Sequence, residues 1–387
     1  MGFLMNRLIA VPLVLATALL TGCAALILTR PLEPTEEDWA MSGATPERSS
    51  SCRGALVPPL ELAWDVGIGA GIGYGSPVTA DSLLLVATLK GEIHVIHCFT
   101  GKYRGSLNAG APIAGSPVLA SGAVIVGLSS PDESLVAYDL YLKSVRWKRS
   151  YGDIEASVLL YEGLLYAGTL RGTLECVEPS TGNSVWSFAL PNNVALKGIR
   201  SAPAGSDSAV VFGADDGALY ALRARDGRLL WRVQSDAPVQ SPVAIDGGRV
   251  YSGNLRGTVR CVDLQSGAVR WEQRTGAPVY AGAVISGGAA FLGTIDGTVC
   301  AFDAEDGTLR WKSAVGGPVN ATPVVSGEYL YLGTLKKELL ALRTSSGECV
   351  WKTALGGRVK TAPAVAYDRL FVATDDRSML AFREGPR

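Results

Sequence analysis

Charge is scarce in this chain of 387 residues, and histidine is almost missing from it. Lysine and arginine total 35 and aspartate and glutamate 36, together 18% of the residues. They are spread along the whole length, so no basic stripe follows a phosphate backbone and no nucleic-acid partner is expected. The two histidines, His94 and His97, stand three apart; on a strand that spacing sends them to opposite faces, and a shared metal is not expected. There is no Gly-x-Ser-x-Gly elbow, no P-loop and no His-Glu-x-x-His, which removes the usual signatures of acyl-transfer, phosphate-cradling and zinc-peptidase chemistry. No catalytic residue, no metal ligand and no cofactor is assigned.

What the chain has in quantity is glycine, 46 residues, and proline, 20, with a mean hydropathy of +0.22. Short buried strands joined by tight turns give such a balance, and an all-β fold is expected. At this length the chain holds either several domains or one large repetitive one.

The N-terminus is a separate unit. A single charge, Arg7, precedes the apolar run Leu8 to Leu20, the length of a signal-peptide core. Leu20-Thr21-Gly22-Cys23 follows, and it resembles the bacterial lipobox, in which cleavage before the cysteine is coupled to its acylation. Residues 1–22 then form a lipoprotein signal peptide, Cys23 is the lipidation site, and 23–59 is a tether and pre-propeller segment. A second reading stands beside it: Ala24 to Leu28 lengthens the apolar stretch enough for an uncleaved transmembrane anchor. Both readings export and tether the body of the protein. The residue after Cys23 is Ala24 rather than Asp, which by resemblance to enterobacterial sorting implies the periplasmic face of the outer membrane, with an inner-membrane anchor as the alternative.

Beyond residue 60 the sequence repeats. Seven of the eight tryptophans, Trp64, Trp147, Trp186, Trp231, Trp271, Trp311 and Trp351, fall on one lattice. The gap between the first two holds a degenerate unit with Gly105 at the tryptophan position. The clearest unit runs from Gly297 through Asp303 and Asp306-Gly307 to Trp311, alternating as strands do around a turn dipeptide. Two more apolar strands precede each such segment, as in Ser241 to Ile245 and Arg249 to Gly253. Four strands in about 40 residues is the period of a propeller blade, and eight units are counted. The last lacks a tryptophan strand of its own, while residues 61–66 form a strand with no unit. The ring is therefore expected to close by joining 61–66 to 377–383, which removes an exposed sheet edge. The lattice tryptophans read as packing groups between blades. Trp39 stands off the lattice, and its loss is expected to cost much less than that of Trp64.

Ala301, Asp303, Gly307 and Trp311 complete an Ala-x-Asp-x-x-x-Gly-x-x-x-Trp motif that resembles the repeat of pyrroloquinoline-quinone (PQQ) propellers over residues 60–387. The resemblance implies an eight-bladed β-propeller with four-stranded blades. It does not carry dehydrogenase chemistry with it, because the chain has no Cys-Cys pair, no Cys-x-x-Cys-His haem site and no substrate-capping insertions between blades. Cys176, Cys261 and Cys300 read as small core residues, and the pairing of Cys52 is left open. Asp215-Asp216 and Asp375-Asp376 read as turn residues.

One junction is irregular. Between Trp186 and Trp231 the spacing grows to 45 residues, and the additional ones fall in Pro191 to Pro203. The run Val194-Ala195-Leu196-Lys197-Gly198 before Ser201-Ala202-Pro203 is similar to the matching loop of the BamB family, lipoprotein propellers of outer-membrane β-barrel assembly. The resemblance implies a non-enzymatic scaffold in which Val194, Leu196 and Lys197 contact a BamA-like barrel-assembly protein. Read without it, Val194 and Leu196 begin the inner strand of the fourth blade. The chain departs from that family before the fifth blade, where Asp236 is the lone acid in place of an acidic pair. A ligand-binding sensor, or a PQQ-dependent dehydrogenase, is the alternative function.

Overall fold

The computed structural model describes residues 28, 30–52, 54–191 and 197–386. Within them, eight sheets, each of four antiparallel strands and one extended by a fifth, parallel strand, are arranged in sequence order around the ring. Blade five is typical, with strands Ala244–Asp246, Arg249–Gly253, Thr258–Asp263 and Val269–Arg274 from the axis outward. The first three are buried nearly throughout, while the fourth alternates between buried and exposed positions, as expected of a strand with one solvent face. Each fully buried valine, leucine or isoleucine contributes about 1.5–3 kcal/mol.

Ring closure follows the expected route. Leu60–Gly67 pairs antiparallel with Ser378–Glu384, setting Trp64 opposite Ala381 in the eighth blade. Gly105 lies opposite Val95, in the register where Trp147 faces Ala137, so it occupies the degenerate tryptophan site.

The motif residues explain one another. Asp303 accepts the backbone N–H groups of Glu305 and Asp306 at 2.9 and 3.3 Å and the Arg310 guanidinium at 2.8 Å, fixing the turn before the outer strand. Those donors hold its carboxyl below the usual range, the Arg310 bond first among them. Gly307 in that turn has φ +77°, and a Cβ there would lie 2.6 Å from the Trp271 ring of the preceding blade. Trp271 donates its indole N–H to Ala304 O at 3.2 Å. The same docking of tryptophan onto the next blade's glycine and carbonyl recurs from Trp64 to Gly101 and Cys98, and from Trp231 to Gly267 and Leu264.

The segment before the propeller differs from a plain tether. From Trp39 onward it crosses the inner edges of the blades and lends them backbone carbonyls. Trp39 O accepts Thr79 N at 2.9 Å, Pro46 O accepts Gly205 N at 2.9 Å, Glu47 O accepts Ile245 N at 2.8 Å, and Ser50 O accepts Val325 N at 3.0 Å. Ser51–Cys52 then pairs parallel with Val325 and Ser326. Trp39 is 2% exposed and packs with the core of blades one, seven and eight. The expectation that it is cheap to lose is corrected: an off-lattice position is here a core position.

Candidate functional site

Blade geometry gives the ring two unlike faces. Turns between second and third strands, such as Thr88–Gly91, lie on one, which we call the mouth face; turns between first and second strands, such as Asp81–Ser82, lie on the other, the base face. The crossing segment closes the axis from the base side. Arg48, 3% exposed, is anchored there by donating to Pro203 O at 2.5 Å, Ser42 O at 2.8 Å and Ser157 O at 3.3 Å. Burial pulls its pKa down to about 10, which leaves it charged at neutral pH.

Above this floor lies a blind cavity of about 720 Å³, to which every blade contributes. In seven of the eight blades the residue four positions before the first strand lines its rim. Glu155, Arg200, Gln240, Tyr280, Asn320 and Lys360 are the polar members of that set, and Tyr74, 74% exposed, completes the aromatic pair with Tyr280. Their charges are largely matched. Arg200 bonds the buried Asp215 carboxylate and lies 3.4 Å from Glu155, while Gln240 donates to the other Asp215 oxygen at 2.7 Å. On the opposite side of the ring, Lys360 lies 3.2 Å and Arg358 2.6 Å from Asp375. The side-chain oxygen of Asn320 is buried without a hydrogen-bond partner among the described residues. Repetition of the position before each first strand is the sequence signal that could have found this rim.

The irregular loop belongs to the mouth face. Its stems are pinned on the turn Thr169–Gly172 by Leu190 N to Gly172 O at 2.9 Å and Ile199 N to Thr169 O at 3.0 Å. Lys197 is half-buried, and its carbonyl lies against Gly172. Val194 and Leu196 lie outside the described residues, as does Cys23. The first strand of blade four is Ala204–Ser206.

Other singled-out residues have structural partners. Asp236 accepts Asn254 Nδ2 at 2.6 Å, Thr258 Oγ1 at 2.9 Å and Arg274 at 3.0 Å. Burial disfavours its charge, yet those donors together outweigh burial and hold its pKa at about 2. Asp216 accepts Ala218 N at 2.9 Å in its turn. His94 shares a hydrogen bond with Tyr103 at 3.0 Å. Cys98, Cys176, Cys261 and Cys300 are buried and free, and Cys52 and Cys349 are also free. Burial pushes the Cys176 thiol up to about 12 and those of Cys261 and Cys300 to about 11.

Three comparisons bear on this arrangement. The profile of the family described as "Outer membrane protein assembly factor BamB" matches residues 143–241, 215–319, 255–337 and 296–385. The outer membrane protein assembly factor BamB of Yersinia pestis is 26% identical over 275 residues, 62% of this chain and 65% of that protein. The dehydrogenase subunit of the quinone alcohol dehydrogenase of Gluconacetobacter polyoxogenes is 33% identical over 117 residues, 26% of this chain, and the chain spans 16% of that protein's length. Among solved structures, BamB from Moraxella catarrhalis superposes with a TM-score of 0.72 at 18% identity, covering 84% of this chain and 99% of that one. The quinohemoprotein alcohol dehydrogenase of Comamonas testosteroni gives 0.74 at 14% identity, covering 91% and 81%. At those identities the structures report the fold alone.

Quinone-dependent relatives raise the question whether this cavity suits a quinone held with Ca²⁺, which needs a flat platform and a cluster of oxygen ligands. Glu155 and Asp215 are both committed to Arg200. Among the described residues no group of three His, Cys, Asp or Glu side chains is placed to hold a metal ion. The lattice tryptophans stand in the seams between blades rather than on the axis. The residues present do not fit that group.

Proposed function

The chain belongs to the family described as outer membrane protein assembly factor BamB, and from there we propose that it is a non-enzymatic, membrane-tethered scaffold that holds a protein partner of outer-membrane assembly. The observation that carries this reading is the family match running from blade two through blade eight, on a rigid ring whose one irregular loop is pinned to the mouth face. Loops on a rigid frame are where binding residues concentrate. Val194, Leu196 and Lys197 are the residues proposed to meet the partner, a BamA-like barrel-assembly protein. Lipidation at Cys23 is proposed to hold the protein on the periplasmic face of the outer membrane, since two or more acyl chains retain a protein stably.

Affinity capture of the full chain from detergent-solubilised membranes, with mass spectrometry of the eluate, tests the partner. Recovery of a barrel-assembly component, reduced in the Leu196→Asp/Lys197→Glu variant, supports the reading; its absence from the parent eluate refutes it. Acyl labelling tests the tether: Cys23→Ser abolishes labelling and releases the protein, whereas retention of an unprocessed chain establishes the transmembrane anchor. A second reading, a sensor taking a small ligand in the axial cavity, is favoured by the cavity of about 720 Å³ and the unpartnered Asn320 oxygen. Co-purification of a small molecule lost in Asn320→Leu distinguishes it.

A further inference from the structure

The base face carries a cluster that neither the ring nor the loop explains. It lies at the closure seam between blades eight and one. Arg104 and Arg369 are half-buried there, and the Nε of each makes no hydrogen bond among the described residues. Among the described residues neither guanidinium forms an ion pair, whereas the neighbouring Arg383 is matched by Glu61 at 2.7 Å. A buried N–H without an acceptor is unfavourable. Both Nε atoms are enclosed and Arg369 donates Nη1 to Tyr367 O at 3.1 Å, so what the two half-buried arginines offer to groups outside the chain is their unmatched charge. Phe99 stands beside them, 42% exposed, with the Arg369 guanidinium 4.6 Å from its ring centre. Lys102 is exposed on the same turn. His97, whose ring packs at 5.9 Å from that of Phe99, feels both arginines: burial first, then Arg104 and Arg369, lower its pKa. The acids nearby are Asp368, which acts on Arg369, and Asp38, already bonded to the Tyr367 hydroxyl at 2.7 Å.

The approach of the N-terminal chain fixes which way this cluster faces. Arg30 pairs with Asp81 at 2.6 Å, and Asp38 reaches Tyr367, whose ring lies 5.4 Å from that of Phe99. The described N-terminal residues Arg30 and Asp38 therefore lie beside the cluster. Arg30 stands seven positions after Cys23, a reach of at most about 25 Å.

We propose that Phe99, Lys102, Arg104 and Arg369 form a docking patch for the phosphate-bearing headgroups of an anionic membrane, which seats the base face on the bilayer and turns the mouth outward. Unpaired cations beside an exposed aromatic suit that interface, where phosphates supply acceptors and the ring inserts among the headgroups. The side of the ring that meets the membrane rests on the tethering reading above; the headgroup contact itself does not need acylation or a protein partner, so its test fails or succeeds independently.

The full chain in dodecyl maltoside is titrated with monomeric dihexanoylphosphatidylglycerol, dihexanoylphosphatidylcholine or inorganic phosphate, and binding is followed by thermal midpoint and by calorimetry. The expected result is saturable, salt-sensitive binding of the phosphatidylglycerol, weakened at least fivefold in Arg104→Gln/Arg369→Gln. The Arg104→Lys/Arg369→Lys variant keeps the charge and retains most of the affinity, which separates loss of the patch from loss of the fold. Phosphate binding as tightly as phosphatidylglycerol overturns the membrane source in favour of a free anion. Equal binding of the two lipids overturns the role of charge, and a parent that binds neither, or a glutamine variant with unchanged affinity, overturns the patch altogether.

Discussion

Replacing Trp64 by alanine opens the one seam where the two ends of the chain hold each other. The indole packs over Gly101, donates to Cys98 O at 2.9 Å and lies 5.9 Å from the Phe371 ring. Truncating a buried tryptophan costs about 3–5 kcal/mol; Trp64 is only partly buried, which places the packing loss near about 3 kcal/mol, and the forfeited hydrogen bond adds about 1 kcal/mol. With a urea m-value of at least about 3 kcal/mol/M for a ring of this size, the unfolding midpoint falls by up to about 1.3 M. Trp39 supplies the internal control. Trp39→Ala empties a fully buried site and is expected to lower the midpoint by a similar amount, whereas Trp39→Phe keeps most of the volume and removes an indole N–H that has no partner among the described residues, so its midpoint stays near the parent's. The assay is urea unfolding followed by far-ultraviolet circular dichroism on parent and variants. A Trp64→Ala midpoint equal to the parent's refutes closure through this strand, and a harmless Trp39→Ala refutes the placement of that residue in the core.

Gly307→Ala forces a Cβ onto the Trp271 ring at positive φ and is expected to destabilise by about 1–3 kcal/mol, read as a drop in the calorimetric midpoint; an unchanged midpoint refutes the docking of tryptophan on the next blade. Asp236, depressed to about 2 in the folded state, contributes stability that is present above about pH 4 and is lost as pH falls toward 2. Asp236→Asn is therefore expected to cost on the order of 1–2 kcal/mol at pH 7 and to show a shallower loss of stability between pH 4 and 2, measured by urea midpoints at each pH. Under native conditions at pH 7.5, a small thiol reagent is expected to label Cys349, which is exposed, and more slowly Cys52, while Cys98, Cys176, Cys261 and Cys300 react only after unfolding; intact-mass spectrometry counts the adducts.

The ring was legible because it is written eight times. Aspartate, glycine and tryptophan at fixed offsets make one contact between neighbouring blades, and repetition turned a weak local pattern into a fold, down to the strand that closes it. The crossing segment was not legible for the opposite reason. Residues 39–52 appear once and bind largely through backbone carbonyls, which any sequence presents, so Trp39 looked unattached although Thr79 holds it at both N and O. The cavity rim shares the repeat's spacing but varies from glutamate to tyrosine to lysine, so its position was legible and its chemistry was not. The loop of blade four stood out by its additional length, yet length alone does not say which face it serves; that came from its stems on Thr169 and Gly172.

The closing strand also sets an order of events in time. Glu61 and Arg383, joined across the seam, are 322 residues apart, so among the first propeller residues made is a strand whose partner is among the last. The crossing segment is equally early and must find the inner edges of blades four to seven after they exist. Pairings of such long range are slow to form and leave strand edges open meanwhile. A ribosome-bound or partly threaded chain therefore cannot complete its ring, and the interval before the C-terminus emerges is when this protein depends most on being shielded from other chains.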